Sequence, residues 1–343
     1  MFKGMNREPD FHQLEAVLHH EKPDRPTLFE FFLNERLYQY ANGGAPSPAD
    51  PVGRQLYLAR AMAFFGYDHC QAVGCPLQFI SGPLNKKQTR SLNENHLICD
   101  WESFEHYPWP DPEAIDYSVL EQVGGRLPGE MKLMFSSAGI LETASEMLGY
   151  ENMCYIVYDE PELVQAVFDR IGALHVAHYR HALAYDSVGL IMANDDWGFN
   201  TQTLLSPNLL RKLVFPWYRE IAAMAHESGR CAVLHSCGCL DSVMGDVISD
   251  MRFDGKHSYQ DSIVPVEEAY ARWGHDIAIL GGMDIDYMVR STPEEIRRRS
   301  RAMMERTQAV GGYALGTGNS VAEYIPDAHY FAMLEAAGGK MED

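Results

Sequence analysis

The chain has 343 residues, 46% of them hydrophobic, and 48 acidic against 28 basic side chains give it a formal charge of −20. Such a surface repels polyanions, which argues against nucleic acid and anionic membranes as partners. A chain of this length buries enough surface to fold without disulfide or metal staples.

The opening segment MFKGMNREPDFHQLEAVLHHEK has neither an apolar h-region nor a small-residue cleavage site, and no long apolar window follows it. A cytoplasmic protein is predicted. Its cysteines (Cys70, Cys75, Cys99, Cys154, Cys231, Cys237 and Cys239) should then be thiols, buried or metal-bound. Short apolar runs predict strands at Arg25–Phe32, Asp68–Val73, Lys132–Ser136, Val188–Ala193, Cys231–His235, Gly255–Tyr259, Ile277–Leu280 and Gly312–Leu315. Most are apolar throughout, as strands covered on both faces should be. Helical patterns separate them. Asp159–Tyr185 has apolar positions at helical spacing, Ser206-Pro207 opens a helix that Gly229 closes, and Ser291-Thr292-Pro293-Glu294-Glu295 is a doubled capping box. Eight strands alternating with helices predict an α/β fold, a single (β/α)8 TIM-type barrel over residues 1–343 with its core at about 25–338. An irregular excursion at about residues 74–128, rich in Pro and Asn, is expected to cover part of the mouth.

Barrel active sites lie at the carboxyl ends of the strands. Those ends read Phe29-Glu30-Phe31-Phe32, Asp68-His69-Cys70, Asn194-Asp195-Asp196-Trp197, His235-Ser236-Cys237-Gly238-Cys239, Lys256-His257-Ser258, Gly282-Met283-Asp284 and Gly316-Thr317-Gly318-Asn319. In extended chain, residues i and i+2 point the same way, so His235 and Cys237 project together. Imidazole with thiolate suits zinc, which in catalytic sites takes three protein ligands and keeps one position open. His257, on the neighbouring strand, is a candidate third ligand or acid–base group, and Cys239 is a further ligand candidate. Asp195 and Asp196 are candidates for substrate binding, proton relay or helix capping. Glu142 is a weaker site carboxylate, His69-Cys70 with Cys75 a second, weaker metal-like cluster, and Gly316–Asn319 a weak anion cradle.

The succession DDWGFNTQTLLSP, AHESG, VLHSCG, KHSYQDSIVPVEEAYARWG, IAILGGMD, STPEEIRRR and GGYALGTGNSVAEYIP resembles the uroporphyrinogen decarboxylase superfamily, from roughly Pro26 to Ala336. That superfamily includes decarboxylases and cobamide-dependent methyltransferases on one barrel. The resemblance implies, for a true porphyrinogen decarboxylase, an RQAGRY segment after the first strand and an anchoring aspartate after the second. Here the first reads FEFFLNERLYQYANG, with Arg36 its only arginine, and Asp68 stands in a different context, YDHCQAVG. A substrate with eight carboxylates suits neither that segment nor a charge of −20.

In the methyltransferase branch, zinc is held by His-x-Cys on this strand and a cysteine after the last strand. His235 and Cys237 match; Thr317 stands about where that cysteine would be, leaving His257, Cys239 or a carboxylate as third ligand. The expected function is therefore corrinoid-linked methyl transfer between a small substrate (methyl ether, methylamine or thiol) and a methylcorrinoid carried by a partner protein. His257, Asp196 or Asp195 would manage the proton. Glu30, Phe31, His69, Asp68 and Asn319 would shape the substrate site. A homodimer is compatible with the chain. The alternatives are a metal-free decarboxylase of a smaller acid, using Asp68 or Asp196, and a non-catalytic corrinoid- or tetrapyrrole-binding protein.

Overall fold

Seven parallel strands hydrogen-bond in strict sequence order. They are β1 (His69–Gln71), β2 (Lys132–Ser136), β3 (Val188–Asn194), β4 (Cys231–His235), β5 (Gly255–His257), β6 (Ala278–Leu280) and β7 (Tyr313–Ala314) in the computed structural model, which describes residues 2–80 and 97–340. Helices lie between successive strands, as parallel connections require. The result is an α/β, TIM-like architecture.

The eighth predicted strand, Arg25–Phe32, is not one. It touches β7's end through a single bridge, Leu28 to Leu315, with Phe29 N donating to Leu315 O and Leu315 N to Thr27 O, both at 2.9 Å. Pro26 has no N–H to give to a ladder. On the other edge, the Glu30 carbonyl takes its hydrogen bond from the His69 imidazole at 3.0 Å instead of from a β1 amide. Side chains therefore complete the seam, and no closed eight-stranded ladder forms among the described residues.

Alternation along the strands divides the core. Leu190, Met192, Cys231, Val233, Leu280 and Ala314 face inward with Phe29 and Phe31, and Leu14, Val17 and Leu18 of helix His12–Leu18 plug the amino-terminal end. Each buried Leu or Val of this plug contributes about 1.5–3 kcal/mol. Ile191, Ala193, Ala232 and Leu234 face the opposite way and pack in the layer between sheet and helices. The helix predicted from Pro207 to Gly229 is divided into Pro207–Leu213 and Phe215–Glu227. Pro216 lacks the N–H that continuity requires. The Thr292–Glu295 capping box opens Pro293–Thr307 as predicted.

The excursion at 74–128 is less irregular than expected. Residues 81–96 lie outside the described residues; the rest holds helices Trp101–His106 and Ser118–Gly124 and a 3-10 turn, Pro112–Ala114. Several of its residues pack against helix Pro161–Leu183: Tyr117 OH meets His178 Nδ1 at 2.6 Å, and Arg170 lies over the Trp109 ring. Among the described residues, no helix is long and apolar enough to cross a membrane.

Candidate metal centre at the strand ends

Register sets the stage. Asn194 pairs with His235 and His235 with His257, so the last residues of β3, β4 and β5 stand at one level. Past that level the β3 and β4 loops join: Trp197 N donates to Ser236 Oγ at 3.0 Å, Cys237 N to Asp196 Oδ1 at 2.8 Å, Gly198 N to Cys237 O at 3.2 Å and Cys239 N to Phe199 O at 2.7 Å. Ligand atoms of Asp196, His235 and Cys237 consequently lie within 4.8 Å of one another.

The surroundings fix the protonation and orientation of these groups. Burial holds His235 near 4 and His257 well below its ordinary value, so both imidazoles are neutral at neutral pH. His257 Nε2 faces the Thr317 carbonyl at 3.2 Å, and a carbonyl only accepts, so this nitrogen carries the proton. His257 Nδ1 is then an acceptor, and His235 Nδ1, 2.8 Å away, must donate to it. His235 Nε2 is left with its lone pair free, 3.9 Å from Cys237 Sγ. Fixing a tautomer through the far nitrogen is how metal-binding histidines are oriented. The Cys237 sulfur receives Ser258 Oγ–H at 3.3 Å and Asn319 Nδ2–H at 3.4 Å. Burial, then the Asp196 charge, pushes its thiol up to about 12. One N, one S and one O donor fit a three-ligand zinc site.

His257 and Cys239, the third-ligand candidates from sequence, are not in this group; Asp196 is. His257 has both nitrogens engaged, and Cys239 lies beyond the turn at Gly238. Thr317 donates both N–H and Oγ–H to the buried Glu30 carboxyl, at 2.6 and 2.7 Å. Gly318 N is bound to Met283 O at 2.7 Å, so Gly316–Asn319 ties strand ends together instead of cradling an anion.

Other candidates are separated from the centre. Asp68 precedes β1, at the opposite end, where it pairs with Arg25 and accepts from Asp10 N at 2.9 Å. His69 lies inside the barrel, stacked on Phe29 with centroids 4.8 Å apart, and burial lowers its pKa to about 4. Cys70 and Cys75 are buried and form no metal-like group with it among the described residues. Asp195 is buried and accepts from Leu141 N, Glu142 N, Trp197 Nε1 and Tyr218 OH, at 2.9 to 3.1 Å. With four donors on it, it anchors the loop that presents Asp196. Phe31 does reach the centre, its ring 5.0 Å from that of His235.

Glu142, in the first turn of helix Ile140–Leu148, is raised to about 8 by burial and then by Asp195 and Asp196. Burial and the two neighbouring carboxyl groups both oppose its ionisation. Sequence reasoning assigns no role to Lys256 or Ser258, and the available signal was a lysine in the middle of a short strand.

Glu30 supports a pH prediction. Burial raises its carboxyl from 4.5 to about 8, so the folded protein holds this proton more tightly than the unfolded chain. Its stabilising contribution is complete below pH 4.5 and is lost as pH rises toward 8, with a limiting slope of about 1.4 kcal/mol per pH unit. Urea unfolding of the parent and Glu30→Gln between pH 5 and 8 should give curves whose difference changes steadily in the variant's favour. Parallel curves would refute the assignment.

The uroporphyrinogen decarboxylase (URO-D) family model matches residues 69–339. Two curated relatives are uroporphyrinogen decarboxylases: one from Alkalilimnicola ehrlichii, 24% identical over 77% of this chain and 72% of its own, and one from Methylococcus capsulatus, 22% identical over 77% and 74%. A methyltransferase from Methanosarcina mazei has a similar fold, with a TM-score of 0.70 at 14% identity, covering 95% of this chain and 97% of that one. The long match to the family model settles the family: the chain belongs to the uroporphyrinogen decarboxylase family.

Proposed function

We propose that this protein is a cytoplasmic, zinc-dependent methyltransferase that moves a methyl group between a small substrate and a corrinoid carried on a separate protein. In this reading Arg25–Phe32 fills the place of an eighth strand, with the Leu28–Leu315 bridge and the Glu30 carbonyl closing the (β/α)8 barrel. The observation that carries it is the Asp196–His235–Cys237 group, with the His235 tautomer set by His257 and the sulfur held by Ser258 and Asn319. These three side chains would hold zinc. When bound, zinc supplies Lewis acidity, favouring a bound thiol as thiolate or polarising an ether oxygen.

The chain's own residues do the rest. His257 keeps the proton on His235 Nδ1, away from the ligand atom. Asp196 Oδ1 is fixed by the Cys237 amide, leaving its other oxygen for the metal. Phe31 walls the centre beside His235 and packs against exposed Phe32, an apolar edge against which the corrinoid carrier would dock.

The cations near this end argue against a polycarboxylate substrate. Arg36 is paired with Asp327 and Glu323, Arg299 with Asp261 and Glu267, and Lys256 Nζ is taken up by backbone carbonyls. The names of both curated relatives favour a second reading, decarboxylation of a smaller acid without metal. Metal analysis separates the two. About one zinc per chain is expected, reduced in Asp196→Asn and retained in Cys239→Ser. Fully folded protein that decarboxylates an acid and holds no zinc would sink the methyl-transfer reading.

A further inference from the structure

Lys256 is the middle residue of β5. Its neighbours Gly255 and His257 face the barrel interior, where a Cβ on Gly255 would meet Leu18, Leu280 and Val233, so alternation sends Lys256 toward the helix layer. That place normally takes an apolar side chain. Lys256 is buried, and among the described residues no carboxylate lies within ion-pair distance of it. Its ammonium is instead shared among three carbonyls, Ser236 O at 3.2 Å, His257 O at 3.3 Å and Ser258 O at 2.6 Å, and sits 4.3 Å from the centre of the Tyr259 ring. These carbonyls belong to the ends of both β4 and β5, the two strands that carry the His–Cys pair and its hydrogen-bonding support.

The residue whose carbonyl is held most closely is also strained. Ser258 has φ +83, a left-handed backbone that residues other than glycine, asparagine and aspartate avoid. In that conformation its hydroxyl donates to Cys237 Sγ at 3.3 Å. Burying an ammonium is unfavourable, and these three carbonyls with the Tyr259 ring offset that cost; a methionine of similar length would remove the charge but leave the carbonyls without this donor. The lysine therefore ties the ends of β4 and β5 together at the level of the His–Cys pair.

We propose that Lys256 is a positioning residue for the metal centre. By gathering the carbonyls of Ser236, His257 and Ser258, it holds Ser258 in its left-handed backbone and so aims the Ser258 hydroxyl at the Cys237 sulfur. The proposal rests on the metal-site reading above for its purpose, but the clamp itself is a property of the metal-free protein.

The test combines Lys256→Met, Ser258→Ala and the double variant. Purified metal-free proteins are titrated with Co²⁺, following the thiolate-to-cobalt charge-transfer band, and metal-free Lys256→Met is crystallised. Lys256→Met should weaken cobalt binding by about tenfold or more, in the range found for residues that orient metal ligands. Ser258→Ala should weaken it similarly, and the double variant should be little worse than either, because both remove one device. In the crystal, residue 258 should have left positive φ.

Positive φ retained at residue 258, unchanged cobalt affinity, or losses that simply add would each overturn the proposal. Should Lys256→Met fail to fold, Lys256→Arg is read in the same way, since a guanidinium keeps the charge but does not place three N–H groups on the same carbonyls. Wild-type protein that takes up no cobalt would instead refute the metal-site reading, and the conformation of residue 258 in the variant crystal would then decide the clamp alone.

Discussion

On the proposed zinc-dependent reading, Cys237→Ser is expected to strip the metal from the protein and to lower methyl transfer by about a thousandfold or more, the several kcal/mol that a Lewis-acid site contributes. Serine keeps the backbone N–H that binds Asp196 Oδ1, so the joined β3 and β4 loops should survive. What is lost is the one sulfur donor, together with the acceptor that Ser258 and Asn319 address. The metal-free variant should therefore unfold at nearly the urea midpoint of the metal-free parent, while its zinc content falls to background. A variant that retained stoichiometric zinc would refute the ligand assignment. The parent's metal uptake should also depend on pH in a set direction. Burial leaves the Cys237 thiol protonated up to about 12, and binding must displace that proton. Affinity should rise by up to about tenfold per pH unit from neutrality upward. His235, held near 4, adds no proton competition there.

Of the two glycines at the crossing of the β3 and β4 loops, Gly238 should tolerate an added methyl less well than Gly198, so Gly238→Ala should be strongly damaging. Gly238 has φ +84, and a Cβ there would sit 2.2 Å from the backbone carbon of Gly198. The left-handed backbone costs an L-residue about 1–2 kcal/mol, and forcing apart packed backbone adds about 1–3 kcal/mol. The clash falls on backbone, which no rotamer change relieves. The two loops must separate at the crossing, where Gly198 N meets Cys237 O and Cys239 N meets Phe199 O. Separation moves Asp196 away from Cys237, so zinc affinity should fall along with stability. Equilibrium urea unfolding with zinc titration checks both. A loss of stability under about 1 kcal/mol, with zinc binding intact, would show that the crossing is softer than this packing implies.

Much of this arrangement was legible from residue order. β2 and β4 begin and end where the apolar runs do, because a buried parallel strand is apolar throughout and its ends are marked by the first polar residues. The i, i+2 rule placed His235 with Cys237. Arg25–Phe32 misled for a local reason: its composition suits a strand, but Pro26 and the His69 side chain take the places of ladder hydrogen bonds. Asp68 misled because a strand has two ends, and a carboxylate next to β1 gives no sign of which rim it occupies until Arg25 and Asp10 are seen around it.

Strand periodicity and motif order thus sufficed for the α/β architecture, the family and the His–Cys pair, since each is written in local pattern or in the order of motifs along the chain. The third metal-facing group, the His235 tautomer and the lysine clamp depend on contacts between separate strands. Asp196 reaches Cys237 across 41 positions, and Thr317 orients His257 across 60. Asp195 and Asp196 are chemically identical neighbours in sequence. Packing alone turned one into four hydrogen bonds at the start of a helix and left the other facing the sulfur.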